Sequence, residues 1–171
     1  MTLAAMTPGQ WALRLLVAPM PALAVLCTIG AGEAAPVWFV ALVLALGVGF
    51  AVFPESAVGV VVTVLVLAWW GVGLRDGLDP WALAAAAALL IAHVAALIAA
   101  YGPKHMGLDP AVVRLWVLRG LAVVLVTPAL YAVATWLRDA PEPPGMWVIG
   151  LLAAFAATMA TSFVFARTRG T

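Results

Sequence analysis

The side chains with the most chemical potential gather in one stretch, residues 92–116: His93 inside an apolar run, then Lys104, His105, Asp109 and Arg114 just beyond it. Two imidazoles with a carboxylate and two cations could serve acid–base work, a proton relay or anion binding. The spacing argues against one site. His105 lies twelve residues after His93, about 18 Å along a helix. Cys27 is the only thiol, so neither a cysteine-based zinc site nor an internal disulfide is expected. No nucleophile elbow, phosphate loop, paired intramembrane carboxylates or nucleic-acid surface is found. The expectation is a chain without catalytic, metal or cofactor residues.

The elements that must hold these side chains explain the spacing. The chain has 171 residues, 67% of them hydrophobic and 9% charged, and a mean hydropathy of +1.18. Soluble domains carry about a quarter of their residues as charges, so an integral membrane protein follows. Asn is absent, Lys occurs once, and Ala, Val, Leu and Gly dominate, a bias that suits a GC-rich bacterial genome. A membrane helix needs about 20 apolar residues. Six stretches qualify: 12–31, 37–53, 57–74, 81–101, 114–136 and 147–166. The fold class expected is a single all-α, polytopic bundle of about six transmembrane helices over residues 1–171.

Local chemistry sets the boundaries. Pro54 disfavours helix at Phe53 and divides the second span from the third. Gly-Leu-Asp-Pro occurs at 77–80 and again at 107–110, each time offering Asp as a helix cap with Pro behind it. Recurrent capping explains the pair better than a repeated site, because one helix plus one loop puts the copies on opposite sides of the membrane. Arg14, the apolar run after it and GAGEAAP at 30–36 also fit a signal peptide. Pro19 and Pro21 favour a kinked first helix instead.

Lys and Arg of short loops favour the cytoplasm. With the N-terminus inside, Arg14, Lys104, Arg114, Arg119, Arg167 and Arg169 lie inside, and Arg75 and Arg138 outside. Both termini are therefore expected in the cytoplasm. Tryptophan agrees: Trp38, Trp69, Trp70, Trp81, Trp136 and Trp147 fall at external ends, Trp11 and Trp116 at internal ones.

His93 falls near the middle of its span, and no span carries a mid-depth Asp or Glu. A proton relay lacks its partners, so the expected role is a neutral imidazole bonded to a neighbouring helix. Ala84, Ala88, Ala92, Ala96 and Ala100 form a period-four ridge for close helix packing, and Gly47 with Ala51 is a shorter small-residue pair. Arg119, three residues past Trp116, is expected to snorkel to the interface. Arg114 and Arg119 stand about 140° apart around their helix and form no single anion fork. With Lys104 and His105 they make a basic cytoplasmic rim. Such a rim is a topology signal, a contact for anionic lipid headgroups at about 1 kcal/mol per cation, or a dock for an acidic partner.

The order PES before a helix, DPWALAAAAALLIAHVAALIAAYGP, LDPAVVRLWVLRG and PEPPGMWVIGLLAA resembles a group of small multi-pass membrane proteins of high-GC Gram-positive bacteria. These are typically encoded beside a MoxR-type AAA+ ATPase and a von Willebrand factor A-like protein. The likeness covers roughly residues 37–166 and implies no reaction, cofactor or catalytic residue. It implies an accessory component in the cytoplasmic membrane, near a chaperone-like ATPase. The leading expectation is thus a non-enzymatic scaffold or subunit. A small transporter or channel component with His93 on a polar path is the alternative, and an enzyme comes third.

Overall fold

A computed structural model of the chain describes residues 6–73, 79–101 and 107–137, and the isolated helical positions 148, 152, 155, 156 and 159. All regular structure among the described residues is helical: α1 (Pro8–Val17), α2 (Met20–Gly30), α3 (Val37–Val52), α4 (Val58–Gly73), α5 (Trp81–Ala100) and α6 (Pro110–Leu137). The chain divides into two compact units, Met1–Thr135 and Trp136–Thr171. Most of the second, including most of the expected span 147–166, lies outside the described residues.

Among the described residues, three stretches are long and apolar enough to cross a membrane: Pro8–Gly30, Trp81–Ala100 and Pro110–Leu137. The first is α1 and α2 in succession, broken at Ala18–Pro19. Pro19 and Pro21 have no N–H, so the carbonyls of Leu15 and Val17 lose the donors of a continuous helix, and the expected kink is present. That helix starts at Pro8, four residues before its expected start, because Thr7 caps it through a bond from the Gln10 amide and Pro8 fills the first turn. α3 and α4 are shorter than expected. Their 16 residues each give about 24 Å at the helical rise, against a hydrocarbon core of about 30 Å.

Both Gly-Leu-Asp-Pro aspartates cap helices. Asp79 accepts from the Trp81 amide and Asp109 from the Ala111 amide, each at 2.8 Å. With Asp109 as cap, α6 begins at Pro110 rather than at 114 and runs 28 residues.

The core is built of small residues. Val17, Ala24, Val25, Val43, Val62 and Val66 are at most 1% exposed. α5 packs against α1 and α2, α2 also meets α3 and α4, and α3 with α4 forms a hairpin. Gly47 allows α3 to close on the break between α1 and α2: a Cβ there would overlap the carbonyl oxygen of Ala18. Large apolar side chains turn outward instead, among them Leu15, Trp38, Val60, Leu125 and Trp136. A water-soluble domain rarely exposes apolar surface on this scale, whereas lipid accepts it.

α1 shows the same inversion within three turns. Gln10, Arg14 and Val17 make its buried face, while Trp11, Leu15 and Leu16 point out.

Candidate functional site

Contacts among the helix ends define two poles of the first unit. At one, Gly30 closes against the Trp81 ring, Phe39 stacks on Trp69 with ring centroids 4.7 Å apart, and the Trp70 indole donates to the carbonyl of Ala24 at 3.0 Å. The ends of α2 and α4 and the starts of α3 and α5 therefore meet in an aromatic cap. At the other, Gly9 touches Leu108, and Arg14 of α1 reaches the end of α3.

Arg14 is the residue whose role sequence reasoning missed. Counted there as a loop charge, it is only 6% exposed. Its Nη1 donates to the carbonyl oxygens of Ala51 and of Val52, the latter at 2.8 Å. These carbonyls belong to the last turn of α3, where no intrahelical donor remains and the helix dipole is negative. Arg14 thus caps α3 from another helix. Among the described residues its Nε and Nη2, and Oε1 of the buried Gln10 one turn earlier, have no partner. The signal available in the sequence was the i, i+4 placing of Gln10 and Arg14 in an otherwise apolar segment.

His93 departs from expectation. Its side chain is exposed, and among the described residues its imidazole has no hydrogen-bond partner. The reason is the choice of face on α5. Ala85, Ala88, Ala92, Ala95, Ala96 and Ala99 are buried, and His93, turned about 100° from Ala92, points away from α1 and α2. It lines two clefts. One, of about 320 Å³, is bordered by Phe50, Ser56, Gly59, Thr63, His93 and Ala100 among others; the second, of about 460 Å³, by Thr63, Leu83, Leu90, His93, Thr127 and Pro128 among others. Thr63 and His93 border both. The hydroxyls of Thr63 and Thr127 donate to carbonyls of their own helices, Gly59 at 2.8 Å and Val123 at 2.7 Å.

The alanine ridge is rotated from the expected set. Ala88, Ala92 and Ala96 are buried, Ala100 is half-buried on a cleft wall and Ala84 is exposed. A strict four-residue step advances 400°, so a period-four row drifts about 40° per step. The buried row follows the 3.6-residue turn instead.

Of the expected basic rim, Lys104 and His105 lie outside the described residues. Arg114 and Arg119 are both exposed on α6. The Arg119 guanidinium carbon sits 5.2 Å from the centroid of the Trp116 ring, which in turn lies 6.2 Å from that of Tyr101. With α6 starting at Pro110, this cation–indole pair stands six to nine residues inside the helix. No group of three His, Cys, Asp or Glu able to hold a metal occurs among the described residues, and Cys27 is free.

Comparison of the chain with models of protein families, with curated proteins and with solved structures finds no match. The geometry therefore defines a class and no further identity: a protein whose described residues are all-helical in their regular structure, with three helices among them long and apolar enough to cross a membrane.

Proposed function

We propose that this is a non-enzymatic integral protein of the bacterial cytoplasmic membrane, with six spans and both termini inside, acting as a scaffold or accessory subunit of a membrane complex. The observation that carries this reading is α6, which has no buried residue in its 28. Such a helix offers its surface to lipid or to another chain. The cytoplasmic partner surface is the rim of Lys104, Arg114 and Arg119, and the resemblance to proteins encoded beside a MoxR-type ATPase supplies a candidate partner system. Anionic headgroups are the competing occupant of the rim.

The test is capture of cytoplasmic proteins from native membranes by the wild-type chain and by the variant Lys104→Glu, Arg114→Glu, Arg119→Glu. Loss of capture on charge reversal supports docking through the rim. Undiminished capture reduces the rim to an orientation signal. A second reading, a small transporter or channel component, draws on the position of His93 where two clefts meet. Substrate flux unchanged by His93→Leu removes it.

A further inference from the structure

The two clefts at His93 run along one face of α5. Leu83, Ala86, Leu90, His93, Leu97 and Ala100 border them at alternating steps of three and four residues, the signature of a single helical stripe. From Leu83 to Ala100 this stripe is about 26 Å long at the helical rise. His93 stands near its middle, opposite Thr63 of α4, and Thr127 of α6 borders the wider cleft.

The polar groups in this trough are few, and their hydrogen-bonding capacity can be counted. The hydroxyl protons of Ser56, Thr63 and Thr127 are given to backbone carbonyls, so these oxygens only accept. Pro128 lacks an N–H, which leaves the carbonyl of Val124, another bordering residue, without its helical donor. His93 brings one N–H donor and one acceptor nitrogen, both without partners among the described residues. It is also the only titratable residue among the described ones that border the trough. An ion placed there would meet no Asp, Glu, Lys or Arg among the described lining residues, and taking it out of water is costly. A neutral molecule with one oxygen would meet a donor at mid-length and apolar walls on either side.

We propose that this trough binds an uncharged, elongated apolar molecule carrying a carbonyl or hydroxyl oxygen, which His93 holds at mid-length. The clefts fall within the size range of small-molecule sites, about 300 to 1,000 Å³. Their lining is apolar with a few convergent polar groups, as such sites require. A carbonyl accepts from the His93 N–H. A hydroxyl does the same and also donates to an acceptor in the trough. Quinones and long-chain or isoprenoid alcohols share this chemistry. The inference stands apart from the scaffold reading, since the trough and the rim involve different residues.

The chain contains two histidines, His93 and His105, so a ¹⁵N-histidine-labelled sample in lipid nanodiscs gives a reporter in the trough and a second signal for reference. Three probes are titrated: decylubiquinone for the carbonyl, 1-hexadecanol for the hydroxyl, and hexadecane as the oxygen-free control. A saturable shift of the His93 signals with at least one oxygen-bearing probe, absent with hexadecane and with His105 unmoved, is expected. The probe that saturates identifies the ligand class. Ala86→Trp, at an exposed position bordering the wider cleft, should abolish the shift while leaving the His105 signal in place. A His93 response that is absent, fails to saturate, is matched by hexadecane or survives Ala86→Trp overturns the proposal.

Discussion

Arg14 donates to the backbone carbonyl of Val52 across 2.8 Å and 38 positions of sequence. A cation that the sequence places at a membrane edge is in fact tucked against the end of another helix. It replaces donors that α3 lacks in its last turn and joins α1 to α3.

Removing that side chain should loosen the bundle. Arg14→Leu leaves the carbonyls of Ala51 and Val52 without their donor, a loss of about 1 to 3 kcal/mol. Arg14→Lys retains the charge but not the planar fork of donors, and should fall between. Unfolding in mixed micelles measures both. An Arg14→Leu variant as stable as wild type would show that the contact contributes nothing.

Gly47 and Gly71 provide a paired test of close approach. A Cβ at Gly47 meets the backbone oxygen of Ala18, which has little freedom to move, whereas one at Gly71 meets nothing within 4 Å. Gly47→Ala should cost about 1 to 3 kcal/mol through overpacking. Gly71→Ala should be neutral or stabilising by up to about 1 kcal/mol, since alanine is the better helix former. Equal effects at the two positions would contradict this packing of α3 on the α1–α2 break.

The rotated alanine row of α5 predicts an asymmetry along the ridge. Ala92 is 2% exposed, and Ala92→Leu should destabilise by about 1 to 3 kcal/mol as the larger side chain forces α1 or α2 outward. Ala84 is exposed, and Ala84→Leu should stay within about 0.5 kcal/mol of wild type. The same unfolding measurement distinguishes them.

These residues show why some features were legible in the sequence and others were not. Asp79 and Asp109 cap helices through bonds to amides two residues away, and chemistry that local can be read from a tetrapeptide. Pro54 stops α3 for an equally local reason. The ridge was legible as a pattern, but which alanines face inward depends on the helical period and on where α1 and α2 lie. Arg14 was out of reach because its acceptors are 37 and 38 residues away. His93 was recognisable as a polar residue at mid-helix, yet its lack of a partner among the described residues follows from the face that α5 turns to its neighbours.

The orientation of the two poles is the most direct test of the membrane reading. Glu33 follows α2 at the aromatic pole and Glu55 follows α3 at the pole of Arg14, and both side chains are exposed. In a Cys27→Ala background, Glu33→Cys and Glu55→Cys are labelled in intact cells with a membrane-impermeant maleimide, before and after permeabilisation. If the chain spans the membrane with the Arg14 pole inside, Glu33→Cys reacts in intact cells and Glu55→Cys only after permeabilisation. The reverse pattern, or equal labelling of both in intact cells, would contradict it.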